Sequence, residues 1–309
     1  MLKKIGTITL DYTCYPGEDL YSDGPVENEL LEIAKSCVTK EDYNRVIAEK
    51  KSWPVMYHFS HIRHNIVNHL PITKEDKVLE IGAGCGAITG ALAKKAGSVT
   101  CIELSEKRSL VNAYRNRSYD NVTIRLGAFE EVEKQLTETY DYITLIGVFE
   151  YAACYTDKPE PFVYMLQCIR KHLNPGGKIV IAIENRMGLK YWAGCAEDHV
   201  GRYFEGLEGY PHTSDVRTFT KKELKQLFEK AGGLEAVFYY PYPDYKFPFS
   251  VYSDQYLPRK GDLKENTNNF DRKRLGLFDE AKVFDTLIDN DLFPEFSNSF
   301  LVLLERKDV

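Results

Sequence analysis

A chain of 309 residues with 43% hydrophobic and 28% charged residues can bury one large core, and it fits a single elaborated domain better than two equal ones. Its formal net charge of −6 argues against a nucleic-acid partner, which needs a basic face. The seven cysteines are scattered, odd in number and without a C-x-x-C pair, as reduced cytoplasmic thiols would be. Met1-Leu2-Lys3-Lys4 leads into Gly6 and Thr7 rather than an apolar leader, and no apolar run is long enough to span a bilayer. The expectation is a cytoplasmic protein with neither membrane nor nucleic acid as partner.

Residues 1–24 open with a short strand, Ile5 to Leu10, and pass into a loop with Pro16-Gly17 and Asp23-Gly24 turns. The loop carries Tyr12, Tyr15 and Tyr21, and it either closes over a site or packs on the surface. Helical patterns follow at 26–37 and 40–51, and a third runs from Trp53-Pro54 to Leu70-Pro71. That third segment holds His58, His61, His64 and His69. No cysteine or carboxylate joins them at zinc spacing, so no metal is expected.

Residues 77–103 organise the rest. An apolar run (Val78, Leu79, Ile81) breaks into Gly82, Gly84 and Gly86, an apolar-periodic helix follows, and a second apolar run ends in Glu103. Glycines allow a tight turn and close approach to a ligand, and an acid about 20 residues on can accept ribose hydroxyls. Gly82-x-Gly84-x-x-Ala87 also fits the loose dinucleotide fingerprint. Glu80, two residues before the first glycine, tips the choice: it would repel a pyrophosphate and welcome an ammonium group.

Val78-Leu79-Glu80-Ile81-Gly82-Ala83-Gly84-Cys85-Gly86 resembles motif I of the class I S-adenosylmethionine (SAM) dependent methyltransferases. The resemblance implies SAM as cofactor, with Gly82, Ala83, Gly84 and Gly86 wrapping its methionyl end and Glu103, followed by Leu104, holding the ribose. It also implies that the preceding helix covers the methionyl end, with Tyr57 and Arg63 on the cofactor's carboxylate. Past the strand Val122 to Leu126, Ala128 and Phe129 would flank the adenine, with Glu130 where the family often has an Asp. The implied fold is α/β and Rossmann-like: a mostly parallel seven-stranded sheet with an antiparallel last strand, a helical cap at 1–71 and a methyltransferase domain at 72–309.

Downstream of Glu103, Ser105 caps a helix through Leu110, Val111 and Tyr114. The strand Tyr142 to Ile146 delivers Gly147, Glu150 and Tyr151 at its carboxyl end, where open α/β sheets bind ligands. The resemblance adds Gly147 to the cofactor contacts. Leu173-Asn174-Pro175-Gly176-Gly177 resembles the L-x-P-G-G turn before the fifth methyltransferase strand, here Ile179 to Ile183. An insertion at 186–218, dense in aromatic and polar side chains, offers an acceptor pocket or a structural cap. A helix at 222–231 capped by Thr220, a strand Leu234 to Tyr240, an excursion at 245–297 with a polar stretch at 260–274 and a helix near 277–288, and a last strand Ser299 to Leu304 complete the chain.

The acceptor's chemistry sets the remaining requirements. A hydroxyl needs a general base, for which Glu150, His199 and His212 are candidates; a carboxylate needs only binding, for which Arg186 and Arg202 would serve. Tyr21-Ser22-Asp23-Gly24, Glu184-Asn185-Arg186-Met187-Gly188-Leu189-Lys190-Tyr191-Trp192 and Tyr240-Pro241-Tyr242-Pro243-Asp244-Tyr245 look like a bacterial subgroup of methyltransferases of biosynthetic and surface-polysaccharide pathways. That resemblance implies a tailoring enzyme acting on a small-molecule, glycan-precursor or peptide acceptor, and O-methylation is the expected reaction. N-methylation of a small molecule and a non-catalytic SAM-binding subunit are the alternatives.

Overall fold

A computed structural model describes residues 1–19, 21–266 and 274–306. Residues 267–273, most of the second half of the polar stretch, lie outside the described residues. The chain divides into two compact units, Met1–Leu145 with Cys168–Lys178, and Ile146–Gln167 with Ile179–Val309. Residues 1–71 therefore belong to the same unit as the glycine turn.

The first unit starts with an antiparallel hairpin, β1 (Leu2–Ile5) and β2 (Ile8–Asp11), in place of the single strand read from the sequence. Gly6 makes the difference: its φ is +57°, and a Cβ there would stand 2.6 Å from the Arg117 carbonyl oxygen. Helices α1 (Val26–Ser36) and α2 (Lys40–Lys50) fall where their patterns place them, α2 held by a Thr39–Asp42 capping box.

The third helix is not continuous. It is α3 (Trp53–Phe59), a 3-10 turn (His61–His64) and α4 (Asn65–Asn68). Ser60 is extended, and its hydroxyl accepts the Ile62 N–H, which starts a new turn instead of extending the old one. Leu30, Ile33, Tyr43, Val55 and Phe59 form one buried cluster with Cys85 and Val111, so the cap packs on the glycine turn through apolar contact.

Then follow β3 (Lys77–Ile81), α5 (Thr89–Lys95), β4 (Ser98–Glu103), α6 (Glu106–Arg115), β5 (Val122–Leu126), α7 (Phe129–Glu133) and β6 (Tyr140–Ile146). The strand order here is β1-β2-β5-β4-β3-β6. From β2 onward every pairing is parallel. Val78 to Ile81 are all buried, as an interior strand covered on both faces requires.

In the second unit a 3-10 turn (Phe149–Cys154) leads to α8 (Pro161–Arg170) and the long strand β7 (Leu173–Glu184), both of which include residues of the first unit. The expected turn Leu173 to Gly177 is thus the opening of a strand, with Gly176 at φ +74° absorbing the irregularity. After α9 (Leu189–Trp192) and α10 (Lys221–Lys230, with the Thr220–Glu223 capping box) come β8 (Leu234–Tyr242), β9 (Ser250–Ser253), α11 (Glu280–Asp289), α12 (Phe293–Phe296) and β10 (Ser299–Arg306).

The order is β7-β10-β8-β9, and β10 runs antiparallel to β8, as expected of the last strand. Ten strands rather than seven occur among the described residues. The additions are the β1–β2 hairpin and β9, which returns part of the 245–297 excursion to the sheet by pairing with β8. The class is the expected Rossmann-like α/β fold. Among the described residues no helix is long and apolar enough to cross a membrane.

Candidate functional site

In the first unit the glycine turn is bound to the neighbouring strand. Gly82 and Ala83 both donate to the Ile102 carbonyl, at 2.9 and 3.2 Å, and Gly84 donates 2.8 Å to Glu103 Oε2. Glu103 Oε1 accepts the Ser105 N–H at 3.0 Å, so one buried carboxylate joins the turn to the start of α6. Burial pushes the Glu103 carboxyl up, against the pull of Arg108 and of the backbone N–H groups of Ser105 and Gly84. The three glycines have φ of +69°, +53° and +74°. A Cβ on Gly84 would meet nothing within 4 Å, whereas one on Gly86 would lie 2.3 Å from Asn112 Oδ1. Gly86 therefore serves packing on α6, and Gly84 faces open space.

Glu80 points elsewhere than the charge argument suggested. Its Oε2 accepts the Thr89 hydroxyl at 2.6 Å and lies 3.4 Å from Cys101 Sγ, and burial pushes the carboxyl up to about 7. It fixes the start of α5 from inside the fold instead of presenting a free charge to a ligand.

Arg63, by contrast, is available. It is buried, stacked at 3.9 Å on the Tyr57 ring, and its Nε and Nη1 have no hydrogen-bond partner. His58 beside it is held well below the ordinary imidazole range by burial and by the charges of Arg108, Arg63 and Arg115, so it stays neutral and adds no further positive charge. The same turn carries His64, which meets the Ala87 backbone next to the glycines. A buried guanidinium with no carboxylate paired to it among the described residues, next to a glycine turn with an open side, fits the carboxylate of an amino-acid-bearing cofactor.

The tyrosine-rich loop is fastened over this region. Asp19 Oδ2 accepts the Ser105 hydroxyl at 3.1 Å, Tyr12 donates to Glu106 at 2.8 Å, and Arg108 stacks on Tyr21 while pairing with Asp23 and Glu27. Ala128, extended, forms the N-cap of α7, and Phe129 begins it half-buried; Leu104 is also half-buried beside Glu103. A Cβ on Gly127 would lie 2.7 Å from the Cys14 carbonyl oxygen, so the loop closes against the end of β5.

The second unit contains a different cluster. Glu150 and Glu184 are wholly buried, and His199 Nε2 stands 3.0 Å from Glu184 Oε2 and 3.6 Å from Glu150 Oε1. His199 Nδ1 is 2.8 Å from the Tyr151 hydroxyl. Lys246 Nζ bonds Glu184 Oε1 at 2.5 Å and Asp198 Oδ1 at 3.2 Å. Asp198 in turn accepts from Lys190 at 2.6 Å and from the Tyr191 hydroxyl at 2.8 Å. Within this cluster Glu150 has neither oxygen hydrogen-bonded by another of the described residues.

These contacts fix the charge states. Burial pushes Glu150 up to about 7, with the negative charge of Glu184 adding to it. Burial would raise Glu184 too, but Lys246 and His199 hold it down at about 2. For His199 burial acts downward and is outweighed by Glu184 and Glu150, which raise it to about 9. The imidazole is consequently charged at neutral pH, and Glu150 is the better proton acceptor of the two.

A pH dependence follows from these directions. The folded His199 pKa lies above its ordinary 6.5, so its contribution to stability is whole below that pH and is lost as pH rises through about 9. Glu184 runs the other way: its contribution is present above about 4.5 and is lost as pH falls toward 2. Urea midpoints should fall from pH 7 to 10 in the EDTA-treated native protein. The H199Q variant should lose most of that alkaline slope.

Of the other candidates, Arg186 pairs with Glu223 at 3.0 Å, Arg202 has an exposed side chain, and His212 is exposed on Glu205. They do not join Glu150 and His199. Gly147 is covered, since a Cβ there would lie 2.6 Å from the Tyr245 hydroxyl. Sequence reasoning gave no role to Glu184, Lys246 or Asp198. The signal was present in Glu184, a second acid at the carboxyl end of a strand, as Glu150 is close to the end of β6.

Residues 79–179 match a family model described as a methyltransferase domain. The motif at Val78–Gly86 and the parallel Rossmann-like order agree with a methyltransferase domain over these residues, and SAM is the cofactor of such domains. The chain is 28% identical over 128 residues to a ubiquinone biosynthesis O-methyltransferase of Idiomarina loihiensis, covering 41% of this chain and 49% of that one. It is 26% identical over 191 residues to an uncharacterized methyltransferase of Staphylococcus carnosus, covering 62% and 82%. A solved SAM-dependent methyltransferase from Archaeoglobus fulgidus is similar at 14% identity and a TM-score of 0.46, over 85% and 99% of the two chains. The chain spans about half the length of the ubiquinone-biosynthesis relatives that it matches.

Proposed function

We propose that the protein methylates an oxygen of a biosynthetic intermediate, a hydroxyl of a sugar or small metabolite or a carboxylate of a modified peptide, with SAM as donor. The observation that carries the cofactor half is the buried Arg63 beside the glycine turn, whose Nε and Nη1 have no hydrogen-bond partner among the described residues. Bound SAM supplies an activated methyl group; the chain supplies position. Arg63, with Tyr57 stacked behind it, would hold the cofactor's carboxylate. Gly84 gives room, and Glu103 can exchange its bond from Gly84 for ribose hydroxyls. Ala128 and Phe129 would flank the base.

The oxygen reading rests on the second unit. Glu150 has a raised pKa and no hydrogen-bond donor from another residue, so it suits the O–H of an acceptor, and the His199 charge would stabilise an oxyanion. The name of the Idiomarina relative agrees with methylation on oxygen. With a panel of sugar, phenol and carboxylate acceptors, the expected result is adenosylhomocysteine release together with a product heavier by one methyl group on oxygen. A product methylated on nitrogen or carbon, or cofactor binding with no methylated product from lysate-derived metabolites, would overturn it.

A further inference from the structure

We infer that Glu150, Glu184 and His199 form a binding site for a first-row divalent cation. One oxygen from each carboxylate and one imidazole nitrogen lie within 4.8 Å of one another. Ligands about 2.1 Å from a metal stand about 3.0 Å apart in an octahedron and about 3.4 Å apart in a tetrahedron. The Nε2 distances of 3.0 Å to Glu184 and 3.6 Å to Glu150 bracket those spacings on the two edges that meet at the imidazole.

The independent observation is Glu150. A fully buried carboxylate with neither oxygen hydrogen-bonded by another of the described residues is costly, and it lies where the imidazole and the second carboxylate also converge. The surroundings are those of a ligand set held in place. Tyr151 fixes the far nitrogen of His199 at 2.8 Å, and Lys246 fixes the far oxygen of Glu184.

Charge favours a cation as well. Glu150, Glu184, Glu197, Asp198 and Asp244 face two lysines, Lys190 and Lys246, and one imidazole. The ion would take the place of the proton on Nε2. A donor set of two oxygens and one imidazole nitrogen suits manganese, iron or zinc better than magnesium or calcium. Three protein ligands leave positions for water or for an acceptor's oxygens, and a coordinated hydroxyl loses its proton more readily.

The inference stands on the second unit and does not require the methyl-transfer reading; with the ion bound, Glu150 and His199 are its ligands, and the ion takes over from them in lowering the pKa of an acceptor's hydroxyl and balancing its oxyanion. The full-length protein, stripped with EDTA and dialysed, would be titrated with Mn²⁺ by calorimetry and followed by electron paramagnetic resonance. One ion per chain should bind, with ¹⁴N modulation of the manganese signal from one imidazole. Binding should weaken at least about 100-fold in E150Q and about 10-fold in Y151F. Absence of binding heat, absence of the ¹⁴N modulation, or an E150Q variant that binds as tightly as native protein would overturn the site. The modulation is measured on the native protein, so a variant that fails to fold leaves the question decidable. Adenosylhomocysteine titrated into the same native sample reports the cofactor site separately.

Discussion

Arg63→Met should lower adenosylhomocysteine affinity by roughly 30-fold or more while leaving unfolding stability within about 1 kcal/mol of the native protein. The affinity loss follows from removing one member of a desolvated charge pair, which costs about 2–5 kcal/mol. The small stability change follows from what Arg63 does without ligand. Its Nε and Nη1 have no hydrogen-bond partner, and its charge opposes that of Arg115, which burial already pushes down to about 10. Removing it relieves desolvation and repulsion and forfeits the stacking on Tyr57, two effects of similar size and opposite sign. Methylthioadenosine, which lacks the amino-acid portion, should bind native and variant protein equally. Calorimetry with both ligands and urea titration of both proteins check this. Equal loss for the two ligands would mean a collapsed site, and no loss for either would remove Arg63 from the cofactor's carboxylate.

The fold was legible wherever a local pattern carried the information. Gly82, Gly84 and Gly86 announce a turn with positive φ, Ser105 and Thr220 announce helix starts, and each does so within a few residues. The break at Ser60 was not legible, because a serine in a helical pattern can face solvent or cap a new turn, and only packing of Phe59 into the cluster with Tyr43 and Val55 selects the second. The hairpin at Gly6 depends in the same way on Arg117, more than 100 residues later in the chain. Glu103 was expected beside the glycine turn and is bonded to it; Glu80 was expected there for a charge that the fold consumes internally, because pairing with Thr89 and Cys101 is a tertiary fact. In the second unit, Glu150 and His199 were picked as chemically able groups, whereas Arg186 and Arg202 were picked for charge alone. The sequence does not say that Glu223 already neutralises Arg186, or that Arg202 faces solvent.

Lys246→Met should cost about 3–5 kcal/mol of unfolding stability, one of the largest single effects available in the second unit. The ammonium is nearly inaccessible, and it lies between Glu184 Oε1 and Asp198 Oδ1, both on buried carboxylates. Without it Asp198 keeps Lys190 and Tyr191, but Glu184 keeps only His199, which must also offset Glu150. A buried carboxylate that loses its counter-ion either takes up a proton or unfolds its surroundings. Adding Glu184→Gln in the same chain removes the orphaned charge, so the double variant should be more stable than Lys246→Met alone, with a coupling of about 1–3 kcal/mol in a double-variant cycle. Urea midpoints at pH 7 for the native protein, both single variants and the double variant measure it. Additive losses would show that Lys246 acts through packing of its aliphatic stem and not through charge. The reading of the cluster as an electrostatic unit, from Glu150 through His199 and Glu184 to Lys246 and Asp198, would then fail at its central member.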